Sequence, residues 1–201
     1  MGQGKKRFRI EEYDSDEVVE FLTRAYKAHV ERRAIEPHLT DELKEKIERV
    51  AKWLTMPKQK YGLMLYGSVG NGKTTMAKAI GSVIWATSNR PNPLKPASLR
   101  SISSTNIIRK APDMEEFEDI KSEELLFIDD FGSEPSTTKV YGSEIFPIIE
   151  IIYHRYDKQL FTIISSNMFD EDIKQRYGER VFDRMEEMFD RIVFDEKSFR
   201  K

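Results

Sequence analysis

Two spacings of apolar residues alternate along this chain: stripes near 3.6 residues, and short unbroken runs of strand length. The first stripe is Val18, Leu22, Ala25, Tyr26 and Val30; Asp14 and Glu17 form a capping-box pattern ahead of it and Pro37 ends it. A second helix is predicted after Thr40, with Leu43, Ile47, Val50, Ala51 and Leu54 on one face. It is expected to pack on the following domain. The first helix has two readings, core packing or a partner-docking face.

Gly62-Leu63-Met64-Leu65-Tyr66 then reads as a buried parallel strand, and Met76, Ile80, Val83 and Ile84 as the inner face of a helix. Residues 87–97, with Pro91, Pro93 and Pro96, read as a long loop. Residues 99–103 are a modest strand candidate, and 105–110 and 114–120 short helical pieces separated by Pro112. Leu125 to Ile128 is a second buried strand, and 160–165 a third. Between them, 140–156 is predicted as one helix kinked or restarted at Pro147. A helix over 172–177 stops at Gly178, another starts there, and 192–194 is the last strand. Trp53 and Trp85 fall in helices and are expected to pack; the methionines read as core filler, and the three histidines stand singly.

Composition narrows the class. The chain has 201 residues, room for one full domain and a small appendage. A net charge of -2 does not advertise a nucleic-acid binder, so any DNA contact must come from a local patch. The basic run Lys5-Lys6-Arg7-Phe8-Arg9 is either a solvated tail or such an arm. There is no cysteine, hence no disulfide framework, which fits the cytoplasm; no run reaches membrane-spanning length. No membrane partner is expected.

Candidate chemistry concentrates in Gly67-Ser68-Val69-Gly70-Asn71-Gly72-Lys73-Thr74, followed by Thr75. The spacing is G-x-x-x-x-G-K-[ST], with strand before and helix after, the context the motif requires. Glycines let backbone N–H groups turn toward a phosphate, and the helix adds its positive end. Lys73 would supply a full charge to the β- and γ-phosphates, and Thr74 a hydroxyl to Mg²⁺. The ligands expected are therefore ATP and Mg²⁺.

Asp129 and Asp130 end the second buried strand, at the edge where ligands sit in doubly wound sheets. Asp129 would join the Mg²⁺ shell and Asp130 orient the attacking water. Asn167, at the tip of the third strand, either bonds the γ-phosphate or caps the next helix. Arg180 and Arg184 share a helix face, where surface ion pairs are the ordinary outcome.

The order YGSVGNGKTT (66–75), LLFIDDFGSEP (125–135), FTIISSNM (161–168), YGERVFDRM (177–185) and FDEKSFR (194–200) resembles the AAA+ ATPases of the bacterial helicase-loader group, the DnaC-like proteins, and the related IstB-like transposition helpers. That resemblance covers residues 40–201. It implies an α/β P-loop NTPase with a five-stranded parallel sheet flanked by helices, preceded over 1–39 by a short helical extension, with no C-terminal lid domain. It makes Lys73 and Thr74 the phosphate and metal residues, Asp129 the metal-site acid and Asn167 the γ-phosphate sensor. Arg184, with Arg180 as second choice, becomes the arginine offered to a neighbouring subunit's nucleotide. Asp130 departs from the glutamate of most AAA+ proteins. The implied activity is ATP hydrolysis in a homo-oligomeric ring or spiral that loads a replicative helicase onto single-stranded DNA. The alternatives are a helper that arranges a transposase on duplex DNA, a module that holds ATP with little turnover, and a small kinase.

Overall fold

The computed structural model describes residues 7–88, 97–135, 137–140 and 143–194. Lys5, Lys6, the three loop prolines and the terminal motif beyond Phe194 lie outside the described residues. Contacts divide the chain into two compact units. One comprises Phe8–Gln59 and Gly72–Leu99; the other comprises Met1–Arg7, Lys60–Asn71 and Arg100–Lys201.

The helical unit is built from α1 (Ser15–Glu31), α2 (Asp41–Thr55) and α3 (Lys73–Ser88). Asp14 caps α1 by accepting from the N–H groups of Asp16 and Glu17, while the Glu17 carboxylate accepts from Asp14 N–H at 2.9 Å. Thr40 caps α2 through Leu43 N–H. Val18, Leu22 and Tyr26 are buried, and α1 packs on both α2 and α3, the core reading of the first stripe. Pro37 does not end α1. The helix stops at Glu31, where the N–H groups of Arg32, Arg33 and Ala34 close onto its last carbonyls and Ala34 turns left-handed at φ 56°. Residues before α1 are tied down as well: Ile10 is buried and donates its N–H to Leu54 O, and Arg9 bonds the carbonyls of Met56 and Gln59 while lying over the Trp53 ring. Trp53 packs as expected, but Trp85 on α3 is 61% exposed, because it falls off the inner face defined by Met76, Ile80, Val83 and Ile84.

The other unit is a five-stranded sheet in the order β2-β3-β6-β1-β7. Its strands are β1 (Gly62–Gly67), β2 (Arg100–Ser103), β3 (Leu125–Phe131), β6 (Phe161–Ser166) and β7 (Phe189–Phe194), every pairing parallel. Parallel pairing sends all five C-terminal ends to one edge. Every residue of β6 is buried, and β1 and β3 are nearly so, as expected of central parallel strands. Helices α4 (Ser104–Lys110), α5 (Met114–Ser122), α6 (Pro147–Lys158), α7 (Asp170–Tyr177) and α8 (Glu179–Met188) complete the unit, with Ile107, Ile120, Ile151, Ile152, Ile173 and Met185 buried against strand residues such as Leu126, Ile128 and Ile164. Each such side chain contributes about 1.5–3 kcal/mol.

Two segments differ from expectation. Val140 and residues 143–146 are not helical: β4 (Thr138–Val140) and β5 (Ser143–Ile145) pair antiparallel, and Pro147 opens α6 at its first turn. A proline there gives up an N–H that has no intrahelical partner anyway. The last strand starts at Phe189, directly after α8, and is longer than the run 192–194.

Arg155 on α6 is fully buried and donates to Thr162 Oγ1 at 2.8 Å and to the carbonyls of Lys121, Glu123 and Phe161 at 3.1, 2.7 and 2.7 Å. Four donated bonds fasten α6 and the end of α5 to the start of β6. No helix of the described residues is long and apolar enough to cross a membrane.

Candidate functional site

The loop after β1 opens at Gly67, whose φ of 133° and position leave no room for a side chain: a Cβ would lie 2.0 Å from the Phe194 carbonyl oxygen on β7. Asn71, 1% exposed, donates Nδ2–H to that same carbonyl at 2.9 Å. Asn71 thus fastens the turn to the peptide group that Gly67 abuts, with Gly70 (φ 89°) between them. The Asn71 Oδ1 is buried and meets no donor among the described residues. Ser68 and Val69, at the crown, are exposed.

In the helical unit, Gly72 (φ 89°) precedes α3 and its carbonyl accepts the first helical bond, from Met76 N–H at 2.8 Å. A Cβ on Gly72 would lie 2.3 Å from the Tyr26 hydroxyl of α1. Lys73 opens the helix and is 6% exposed, Thr75 is 3% exposed, and Thr74 is half-buried.

At the sheet edge, β3 carries a bulge. Ile128 pairs with Ile164 and Phe131 with Ser166, so Asp129 and Asp130 together stand opposite Ser165 alone. Asp130 is left-handed, φ 54°, a conformation uncommon for a non-glycine residue. Its N–H donates to Ser165 Oγ at 3.0 Å, and its carbonyl accepts from Ser104 Oγ at 2.7 Å and from Ser133 N–H at 3.0 Å. The Ser165 hydroxyl in turn donates to Asp129 Oδ1. Asp129 is half-buried and Asp130 exposed.

Beyond the bulge, Gly132 N–H donates to Glu134 Oε2 at 2.9 Å. The Glu134 carboxylate is buried, also accepts from the Tyr177 hydroxyl, and lies 3.8 Å from the Arg176 guanidinium. Burial and the adjacent Glu134 charge push the Tyr177 phenol well above its ordinary range.

Asn167 leaves β6 at the same edge and is exposed. Its strand lies between β3, with the acids, and β1, with the glycine loop. Ser166 Oγ donates to Phe131 O at 2.8 Å and accepts from Met168 N–H at 3.0 Å, fixing the turn on which Asn167 sits. Arg184 belongs to a different surface: its guanidinium lies 3.9 Å from the Tyr153 ring centroid and 5.3 Å from that of Tyr156, both on α6. Arg180, one turn earlier on α8, is exposed.

Within the sheet unit, the structure therefore brings Gly67–Asn71, Asp129, Asp130 and Asn167 to one edge, and holds Arg184 on α6. The residues suit a magnesium-bound triphosphate. The turn is shaped by glycines with positive φ, and the Asp129 carboxylate at the same edge is a hard oxygen donor of the type Mg²⁺ takes. Among the described residues, no group of three or more His, Cys, Asp or Glu could hold a metal by itself. Sequence reasoning missed Ser165, Ser104, Glu134 and Tyr26. Only Glu134 had a signal, its place in the FGSEP segment that follows the acids.

A protein-family model described as RNA helicase matches residues 63–168, a little over half of the chain. That span runs from β1 through Asn167 and stops before Arg180 and Arg184. Among curated proteins, none matches. Among solved structures, the DnaC helicase loader is similar over 88% of this chain and 99% of its own, at 19% identity and a TM-score of 0.63. DnaI is similar over 87% and 92%, at 21% identity and 0.59. AMPPCP-bound DnaA from Aquifex aeolicus is similar over 81% and 50%, at 19% identity and 0.52. At such identities the likeness is one of fold: an α/β domain on a parallel sheet, DnaC-like in its architecture.

Proposed function

Because the chain belongs to the family described as RNA helicase, we propose that it binds and hydrolyses ATP, and that it spends the cycle on loading a replicative helicase onto single-stranded DNA. The observation that carries the nucleotide reading is the sheet edge. A glycine turn pinned to Phe194 and a bulge presenting two aspartates flank β6, which Asn167 follows. What supports the loading reading is the likeness to the DnaC helicase loader structure, which extends over 99% of the chain in that structure.

The roles follow from the chemistry of each group. Backbone N–H groups of residues 67–72 hold phosphate oxygens, and Lys73, drawn in at the start of α3, adds a full positive charge to them. Thr74 and Asp129 are the residues that would hold Mg²⁺, which when bound neutralises phosphate charge. Asp130 orients the water that attacks the γ-phosphate, and Asn167 donates to that phosphate as the charge moves. Arg184 acts in trans, leaving its tyrosine shelf to meet the nucleotide of a neighbouring identical subunit. A single subunit then binds ATP but turns it over slowly, and the ring or spiral is the active form.

The test is turnover per subunit as a function of protein concentration, together with co-purification of a hexameric helicase. The expected result is turnover that rises with concentration and vanishes in Lys73→Ala and in Arg184→Ala. Turnover linear in protein and indifferent to Arg184→Ala counts against the intersubunit site. Dependence on long duplex DNA with no helicase bound counts against the loading role.

A further inference from the structure

We infer that Ser165 is the positioning residue of the acidic pair: one hydroxyl orients the Asp129 carboxylate and pins the left-handed backbone of Asp130. This rests on the ATPase reading above. The bulge makes the job necessary. At Asp129–Asp130 the ladder between β3 and β6 is interrupted, so the Asp130 N–H has lost its regular strand partner. Ser165, 1% exposed, fills that gap from the facing strand, accepting from Asp130 N–H at 3.0 Å and donating its own proton to Asp129 Oδ1. A hydroxyl can do both at once, being one donor and two acceptors; alanine does neither and cysteine only weakly.

The two bonds have linked consequences. With Oδ1 engaged by Ser165, the Asp129 carboxylate is held in one orientation. Asp130, at φ 54°, stays in a conformation that aspartate leaves readily unless both its N–H and its carbonyl are held. Ser165 holds the first and Ser104 the second. A slack bulge would move both acids together, which no change at either aspartate alone would reproduce.

The experiment compares the full-length wild type with Ser165→Ala and Ser165→Thr. A fluorescent ATP analogue is titrated with and without Mg²⁺, steady-state hydrolysis is measured across Mg²⁺ concentrations, and thermal midpoints serve as control. Outer-shell partners of metal ligands are worth roughly 10–100-fold in metal affinity or activity. Ser165→Ala is therefore expected to keep its metal-free nucleotide affinity and its KM within about twofold. It should need about tenfold more Mg²⁺ for half-maximal binding and lose about tenfold in kcat, with Ser165→Thr recovering most of both. Where alanine fails to fold, Ser165→Cys, equal in size and a poor donor, carries the same comparison.

A wild type whose nucleotide binding is indifferent to Mg²⁺ overturns the nucleotide reading and this inference with it. A wild type that responds to Mg²⁺, beside a Ser165→Ala protein with unchanged Mg²⁺ requirement and kcat, overturns this inference alone. So does a Ser165→Ala defect confined to the thermal midpoint.

Discussion

The Tyr26 hydroxyl occupies the place a side chain at Gly72 would need, 2.3 Å from where its Cβ would stand. Helix α1 thereby touches the residue that precedes α3. Gly72→Ala meets two penalties, the collision and a φ of 89° that costs an L-residue about 1–2 kcal/mol. The expected outcome is a drop in unfolding free energy of about that size or more, part of which is recovered when Tyr26→Phe removes the obstructing oxygen. Chemical denaturation of the single and double variants checks it; a Gly72→Ala protein as stable as wild type contradicts the geometry.

Lys73 places its charge at the first turn of α3 while only 6% exposed. A charge-assisted bond of this kind is worth about 1.5–3 kcal/mol, so Lys73→Met should weaken ATP binding roughly ten- to a hundredfold. Isothermal calorimetry reads this directly, and unaltered affinity would remove Lys73 from the phosphate site.

Arg184 stacks on Tyr153 at 3.9 Å, an arrangement worth about 0.5–2 kcal/mol that it must surrender to act on another subunit. Arginines that meet a neighbour's nucleotide contribute about 10³–10⁵ in rate. Arg184→Ala is expected to lose hydrolysis on that scale while binding ATP normally. Mixing it with Lys73→Ala should restore activity, since each contributes the part the other lacks. No recovery on mixing speaks for a site complete within one chain.

Arg155 satisfies four acceptors at the junction of α5, α6 and β6. Arg155→Met keeps much of the bulk and strands those acceptors, so stability should fall by about 3 kcal/mol or more. Urea unfolding measures the loss, and a change under about 1 kcal/mol would mean that water replaces the guanidinium there.

His29 on α1 shares a 2.9 Å hydrogen bond with Ser82 on α3, and burial, then the charge of Arg32, lowers its pKa below the ordinary 6.5. A hydrogen bond to the Lys78 backbone works the other way, while the charges of Lys78 and Arg33 add to the lowering. A base with a depressed folded pKa takes up its proton more readily unfolded, so stability declines as pH falls below about 6.5. His154, lowered by burial and by Lys121, adds a similar slope of its own. His29→Gln should flatten the wild-type curve between pH 7 and 5, as read from thermal midpoints across that range; an unchanged slope refutes the assignment.

The order of elements was legible because each rests on local chemistry. Asp14 with Glu17, Thr40, Gly178 and the glycines of the loop act within a few residues of themselves. The five-stranded parallel sheet was implied by resemblance to the AAA+ group. What failed was non-local. The apolar spacing from Val140 to Tyr156 matched one helix, but the antiparallel pairing of β4 with β5 outweighs that period at Val140 and Ser143–Ile145, and Pro147 starts a helix as readily as it kinks one. Trp85 was assigned to packing by residue type, whereas its angular position on α3 turns it out to solvent. Ser165 could not be recognised from its neighbours, since its partners lie 35 and 36 positions away, across a bulge that no local pattern announces.

Asn71 ties the glycine turn to the carbonyl of Phe194, which lies 123 positions further along the chain. On a ribosome that carbonyl emerges long after the loop has left the exit tunnel. A nascent chain displaying every motif residue would still have a slack turn, and the ability to capture nucleotide would switch on late, when the final strand slots in beside β1.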